Sequence, residues 1–490
     1  MDAILAQAPD GVKITHGTIT FSPLSRTLHV GDLSVAGATF QGTARMVDVQ
    51  GLSLDTLSTG LRAGDTGAEE RQTLPVADHI RIHDGKIAFD TAEEAFGFVD
   101  VGDIRFRPWA LHQPGTPGLD QARAAYTDFI ALVERGGGAT RPQDVEVAGQ
   151  ILAQAVATGL MAVDIGDLAE TDVTVKGMGV ASAAGTPVLV HYDRRSLKGI
   201  QAGRLGVADL SNLTQTQQGR VVKLARISWD GVDLAAPARA LLRGEPLSGS
   251  LFDGVSVGAL AMSDFSGQLP KGTDFRLDSF TLDPMVVAGG HIGAGGVVLK
   301  GFQVDAAAML PDPRGLAMAK AMGVTKMTLG LALHYKWDFK DSAVTLERST
   351  LTVDELGEVE LDGQVHGTEP NQDLKTLFQN AQLDKAQLRY VDRSLVERSL
   401  RFAGSQQGKT PDAMRDQAVM AIQVGGLALS ASPRGAALVK ALVETVRAPG
   451  TLVITANPTS PVALAPLFSG TAPDPSALVD ALGLGATTTH

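Results

Sequence analysis

The chain has 490 residues, a formal net charge of -12 at pH 7 and no cysteine. A chain of this length usually forms more than one compact hydrophobic core, and its apolar content of 44% excludes a wholly disordered protein. Without cysteine there is no disulfide, no thiolate metal site and no cysteine nucleophile. The acidic balance and the lack of a long basic run argue against binding to nucleic acid, because the phosphate backbone requires clustered Lys and Arg.

The N-terminal residues lack the basic start and the apolar core of a signal peptide, and no stretch of about 18 apolar residues is present to span a membrane. Ala6, Gln7 and Ala8 nevertheless have the small-x-small form of a cleavage site. Two interpretations stay open. Either an export signal or anchor is missing upstream of Met1, or these residues form an ordinary short leading helix.

A short phrase recurs along the chain: two alternating apolar residues, a spacer, a glycine, and then two more alternating apolar residues. Each half has the period of a strand, but the side-chain parity slips by one residue across the glycine. A β-bulge at the glycine would return both halves to one face of a sheet, whereas a tight turn is the competing interpretation. The five complete copies place this glycine at Gly51, Gly177, Gly231, Gly301 and Gly426.

The periodicity divides the chain into four segments. Residues 1–107 form an N-terminal β-rich segment, in which residues 80–89 are predicted as a hairpin with an Asp84-Gly85 turn. Residues 108–162 form a helical hairpin insertion, and residues 163–367 form a central β meander with short helices. Residues 368–490 form a mostly helical C-terminal segment, whose helices are predicted to begin where a capping residue precedes proline. These capping residues are Thr410, Ser432, Ser460 and Asp474.

The fold class predicted from these segments is α+β. Its main element is a long, twisted, mainly antiparallel β-sheet with bulged strands, to which the helical hairpin insertion and the helical C-terminal part are added. The copies of the phrase begin at irregular intervals, which argues against a solenoid of fixed period.

Three motifs suggest chemistry but lack the required context. Residues 403–410 fit a relaxed phosphate-loop pattern, yet they follow an amphipathic helix and not a buried strand. Ser256 lies in a Gly-x-Ser-x-Gly pattern, but strand follows it where a nucleophile elbow needs a helix. His79 and His83 are four residues apart in a strand-like segment, about 13 Å from each other, and cannot share a metal ion. We therefore predict no catalytic residue, no metal site and no cofactor.

One pattern of strands extends along much of the chain. It consists of the paired phrases at 28–35 and 47–54, residues 300–305, and the meander at 329–365 with the helices and Pro-rich end that follow. This pattern resembles that of the AsmA-like bacterial envelope proteins. The resemblance implies a β-rich body in the periplasm that takes part in lipid transport or in outer-membrane assembly. It also implies a tether to the inner membrane, supplied by a segment that this chain does not contain.

We therefore expect a non-enzymatic periplasmic protein that binds or conducts phospholipid, or another apolar ligand, along an apolar groove of its sheet. The candidate lining residues are Leu52, Leu54, Val232, Leu234, Phe302 and Val304. A plain core beneath the helices is the competing role of these residues, and it is the commoner one. The alternative function is an assembly module that contacts other envelope proteins. A serine hydrolase that uses Ser256 is the least favoured.

Overall fold

The computed structural model describes residues 12–37, 40–53, 56, 70–89, 92–118, 121–122, 124–125, 142–178, 187–269, 272–288, 291–310, 312–369, 376, 379–468 and 474–490. The chain forms two compact units. The first unit contains residues 1–262 and 286–290, and the second contains residues 263–285 and 291–490. Both are built mainly from antiparallel strands with additional helices, which confirms the predicted α+β class at this level.

The first unit is a meander of antiparallel strands. Strands β3 to β8 pair in chain order, β8 pairs with β10, and β10 pairs with β11. The short strands β1 and β2 both pair with β3, and β12 pairs with β9 and β13. The strands are β1 (Lys13–Thr15), β2 (Ile19–Ser22), β3 (Thr27–Ala36), β4 (Phe40–Gln50), β5 (Leu74–Phe89), β6 (Ala92–Phe106), β7 (Val163–Met178), β8 (Pro187–Ile200), β9 (Arg204–Leu205), β10 (Ala208–Gln217), β11 (Arg220–Trp229), β12 (Val232–Asp233) and β13 (Ser256–Val257).

Two helices pack together at one end of this meander. Helix α1 (Pro142–Ala162) and helix α2 (Ala235–Leu242) share a buried cluster that includes Met161 and Leu242, both 0% exposed. The 3-10 turn Pro108–His112 adds Ala110 to the cluster. Helix α1 matches the second arm of the predicted helical hairpin. The first arm, predicted around residues 122–133, falls mostly outside the described residues.

Left-handed residues inside the strands keep one face of the first sheet apolar. Val30 and Leu33 pack in the same cluster, although their odd spacing would place them on opposite faces of an unbroken strand. Asp32 between them has φ 48, and this reverses the parity. The same device recurs in β5, β7 and β10. Its residues there are Asp84 (φ 47), Asp172 (φ 54) and Asn212 (φ 55).

The register is unchanged across these positions. The pairs Gly31↔Met46 and Leu33↔Ala44 flank Asp32, so Arg45 of β4 takes the matching unpaired place. Because each of the two strands has one unpaired residue at this position, the pairing register is the same on both sides of it. The parity slip that the sequence predicted at glycine is therefore also made by Asp and Asn, the non-glycine residues that best tolerate a positive φ.

The five glycines of the phrase have different outcomes. Gly301 (φ 66) lies at a register shift between Leu299 and Phe302, and Gly231 (φ 89) makes a sharp turn between β11 and β12, as predicted. Gly51 (φ 68) bends the chain at the end of β4. The prediction was wrong for Gly177, which pairs with Ala92 and Val188 in a regular ladder. It was wrong for Gly426 as well, because residues 411–425 are helical and Gly426 is their C-cap with φ -86.

The predicted hairpin at residues 80–89 was also wrong. Asp84 and Gly85 lie inside the continuous strand β5, which pairs with β4 on one side and β6 on the other. The Asp-Gly pair supplies a positive φ in both conformations, and a turn and a kink therefore look alike in the sequence. Pairing with β4 and β6 both before and after Asp84 selects the kink.

The second unit is another antiparallel meander. Strand β15 pairs with β18, and β18 to β22 then follow in order through β19, β20 and β21. Strand β22 pairs with β23 and β24, and β23 pairs with β25. Three of β16's four residues belong to the first unit. The strands from β14 onward are β14 (Leu260–Gln268), β15 (Asp274–Leu282), β16 (Met285–Ala288), β17 (His291–Ile292), β18 (Ala294–Asp305), β19 (Lys326–Asp338), β20 (Ala343–Val353), β21 (Gly357–His366), β22 (Gln382–Asp392), β23 (Thr451–Ala456), β24 (Val462–Ala463) and β25 (Leu484–Thr489).

The helices of the second unit confirm most of the predicted caps. Thr410, Ser432 and Asp474 each accept a hydrogen bond from a backbone N–H of the first turn. The cap predicted at Ser460 was wrong, because the strand β24 follows this residue. Strands β22 and β25 also show that the C-terminal segment contains more sheet than predicted. The helices are α3 (Ala306–Met309), α4 (Pro313–Ala321), α5 (Leu395–Gln407), α6 (Pro411–Gly425), α7 (Pro433–Arg447), α8 (Ala465–Phe468) and α9 (Pro475–Ala481).

Candidate functional site

The second unit has a continuous apolar sheet face. Residues directly opposite one another on antiparallel strands share a face. One such cross-strand row joins seven strands from β15 to β23, and adjacent strands lie about 4.8 Å apart, so the row is about 29 Å wide. It runs through Phe280, Leu299, Leu331, Leu351, Val359, Tyr390 and Leu452.

The neighbouring rows are also apolar. Val297 pairs with Leu333, Leu361 pairs with Leu388, and Leu388 pairs with Ile454. The other face of the same strands is polar. There Thr350 pairs with Glu360, and Glu360 with Arg389, whose Nη1 lies 3.4 Å from Glu360 Oε2. The sheet therefore separates an apolar side from a charged side.

The bulge at Gly301 extends the apolar face along β18. Leu299 pairs with Leu331, and Phe302 pairs with Leu329, two residues away on the same strand. Leu329 and Leu331 share a face, so Leu299 and Phe302 do too, despite their odd spacing. This is the geometry that the parity slip in the sequence predicted.

Helices cover the apolar face at its margins. Thr488 Oγ1 donates a hydrogen bond of 2.8 Å to Glu444 on α7, and Leu452, directly opposite Thr488, is buried. Near the start of β19, Met327 packs against Ala306 and Ala319 of α3 and α4. Between these two covers, four leucines stay open to solvent: Leu331 is 41% exposed, Leu333 39%, Leu351 49% and Leu361 37%.

The sequence-predicted lining residues fall in both units. Phe302 and Val304 lie on the apolar side of β18, with Phe302 half-buried and Val304 only 2% exposed. Val232 pairs with Leu205 and Val257 in the first unit, and Leu234 is the N-cap residue of α2. Leu52 is half-buried just after β4. Leu54 lies outside the described residues.

Sequence reasoning missed the four open leucines as candidates, although a signal for them existed. Residues 329–333 read Leu-Gly-Leu-Ala-Leu, a strict alternation of large and small apolar residues. In a strand, such an alternation places the three leucines on one face of the sheet and the small residues on the other. Leu351 and Leu361 join the same patch only through cross-strand register, which the sequence does not display.

The first unit places a charged cluster beside its apolar face. Tyr192 donates a hydrogen bond of 3.2 Å to Glu170, and Arg195 lies 2.6 Å from the same carboxylate oxygen. Burial raises the pKa of Tyr192 well above its usual range, and the nearby Arg195 opposes this shift. Burial likewise raises the pKa of Glu94, which lies 3.8 Å from Arg195. The cluster is internally paired.

The three motifs of the sequence have no catalytic geometry in the structure. Residues 403–410 complete α5, turn at Gly408 (φ 64) and cap α6, so they connect two helices. Ser256 lies in β13 and pairs with Asp233 of β12. His79 and His83 both lie in β5 and contact different carboxylates, Asp100 at 3.0 Å and Asp48 at 3.5 Å.

Metal ligation and membrane crossing find no support in the part of the chain that the structure describes. Over those residues, no group of three or more His, Asp and Glu side chains is placed to hold a metal ion. None of the helices found in the same ranges is both long enough and apolar enough to cross a membrane.

One match to a known protein family lies in the second unit. A family model described as an uncharacterized protein matches residues 350–489, which span β20 to β25 and the helices between them. No curated protein matches the chain.

Proposed function

We propose that the chain is a non-enzymatic protein of the bacterial envelope that binds phospholipid acyl chains on the apolar sheet face of the second unit. The observation that carries the proposal is the open patch of Leu331, Leu333, Leu351 and Leu361 within a continuous apolar face. Burial of apolar surface is non-directional, so an acyl chain needs only such a lining and no specific polar partner.

The exposed area limits the affinity that these leucines can supply. Full burial of a leucine side chain is worth about 1.5–3 kcal/mol. With roughly two fifths to one half of each side chain exposed, covering all four contributes about 3–5 kcal/mol before the cost of association. Even with no cost of association, this free energy would give only about millimolar affinity. Tighter binding requires contact with the half-buried rows on either side as well.

The place of action that we propose is the periplasm. The support for it is the AsmA-like pattern of paired strand phrases and the meander at 329–365, whose family members take part in lipid transport or outer-membrane assembly. In the same proposal the apolar face either holds a lipid or conducts lipids along its length.

The test is binding of a fluorescent fatty acid, together with native mass spectrometry of the purified chain. The variant Leu331→Gln/Leu351→Gln removes the two most exposed side chains of the face. Its matched control is Leu111→Gln/Leu247→Gln, because Leu111 and Leu247 are 40% and 43% exposed but lie in the first unit. We expect the face variant to lose most of the binding and the control to keep it.

Two results would overturn the proposal. One is the absence of both co-purified lipid and fatty-acid uptake in the wild-type chain. The other is equal binding by the face variant and its control, since the ligand would then occupy a different surface. Circular dichroism of both variants checks that neither has lost its sheet.

A further inference from the structure

A second surface, in the first unit, gathers arginines from distant parts of the chain. They surround a cavity of about 570 Å³ at the end of the sheet near α2. Gly166 and Gly199, which carry no side chain, form part of its wall. The arginines that line it are Arg71, Arg105, Arg107, Arg204 and Arg239.

Arg107 is the fixed member of this group. It is buried, its Nη2 lies 2.5 Å from Asp164 Oδ2, and its Nη1 donates a hydrogen bond of 2.7 Å to the Glu70 carbonyl oxygen. Its Nε is buried without a hydrogen-bond partner. Asp164 is held in turn by the backbone N–H of Ala202. The guanidinium therefore has one orientation, set by groups on three separate segments.

The other arginines are paired loosely. Arg105 contacts Asp103 at 2.9 Å, Arg204 contacts Asp233 at 2.8 Å, and Arg239 contacts the Glu70 side chain. Within the described residues Arg71 makes no ion pair. Five guanidiniums thus face four carboxylates, which leaves a local positive charge in a chain whose net charge is -12. Exposed ion pairs of this kind are weak and are readily exchanged for a better anion.

We propose that this cavity binds a ligand through one or more phosphate groups. Guanidinium groups match phosphate oxygens in a bidentate fork, and several of them converging on one cavity can neutralise a doubly charged anion. The volume lies within the range of small-molecule sites and exceeds what one phosphate needs, so the ligand carries further groups. The proposal does not rest on the acyl-chain function, which concerns the second unit.

The experiment measures binding of pyrophosphate to the full chain by isothermal titration calorimetry. The pocket variant is Arg71→Gln/Arg105→Gln, which removes two exposed arginines and leaves the buried Arg107 in place. The control is Arg220→Gln/Lys223→Gln, two exposed residues of β11, with the same change in charge and no contact with the cavity. We expect the pocket variant to bind at least about a hundredfold more weakly, roughly tenfold for each guanidinium lost, and the control to bind within about twofold of wild type.

A second titration uses a short-chain phosphatidic acid below its micelle concentration, with the matching diacylglycerol as the phosphate-free probe. Binding of phosphatidic acid that the pocket variant loses identifies a lipid headgroup as the source of the phosphate. Binding of pyrophosphate alone identifies a soluble phosphate compound. Failure of wild type to bind either phosphate probe, or equal weakening by the pocket variant and its control, overturns the proposal.

Discussion

The bulge at Gly301 gives the sharpest test of how the apolar face is built. A Cβ atom added to Gly301 would lie 2.1 Å from Asp278 Oδ2, 2.6 Å from its Cγ and 3.0 Å from its Cβ. Gly301 also has φ 66, a conformation that costs an L-residue about 1–2 kcal/mol. Overpacking adds about 1–3 kcal/mol. We therefore expect Gly301→Ala to lower the free energy of unfolding of the second unit by about 2–5 kcal/mol.

Gly323→Ala is the matched control. Gly323 has φ 77 in the same unit, but a Cβ atom added there would have no neighbour within 4 Å, so only the backbone cost of about 1–2 kcal/mol applies. The difference between the two variants isolates the close approach of Asp278. Adding Asp278→Ala to Gly301→Ala should recover most of that difference, because it removes the two closest atoms at the cost of an exposed ion pair with Arg276.

The assay is urea unfolding followed by tryptophan fluorescence. The chain has three tryptophans, of which only Trp337 lies in the second unit, so a Trp109→Phe/Trp229→Phe background makes the signal specific for that unit. Equal destabilisation by Gly301→Ala and Gly323→Ala would contradict a steric role for Asp278. It would mean that the register shift between Leu299 and Phe302 needs a positive φ but no empty space beside Asp278.

Local geometry supports three further predictions. Asp172 has φ 54, so Asp172→Val should lower the free energy of unfolding by about 1–3 kcal/mol, because a β-branched residue is strained there. Asp172→Gly should leave the free energy of unfolding nearly unchanged. Equal effects of the two variants in thermal or chemical unfolding would contradict this prediction. Ser432→Ala should lower the free energy of unfolding by about 1 kcal/mol, because α7 loses its cap. Ser460 precedes a strand, so Ser460→Ala should not change that free energy measurably. Burial raises the pKa of Glu94, so the stability that the protonated carboxyl contributes is fully present below the ordinary pKa of 4.5 and is lost as the pH rises through the raised pKa. Glu94→Gln should therefore be more stable than wild type at pH 7 and not at pH 4. A stability difference that does not change with pH would contradict this prediction.

Much of the fold could be predicted because its signals are local. Alternation of apolar residues specifies a strand wherever one side must be buried, and Thr410, Ser432 and Asp474 cap helices because each precedes a proline suited to the first turn. The parity slip across Gly301 correctly predicted a bulge, which returns Leu299 and Phe302 to one face, whereas the same slip at Gly177 and Gly426 did not mark one.

What the sequence could not decide depends on partners far away in the chain. Asp84 and Gly85 form a kink and not a turn because β4 and β6 pair with β5 both before and after them, and no local preference distinguishes the two. The first half of the alternation at residues 422–429 is the last turn of a helix and residues 426–428 form a turn, since a short apolar run fits either period and the cap at Thr410 starts a helix. Leu351 and Leu361 join Leu331 and Leu333 in the open patch only through cross-strand register. The arginines that converge near Arg107 likewise meet only through tertiary packing. The sequence alone determined which residues prefer strands, caps and left-handed positions, and the tertiary structure decided which of their side chains meet.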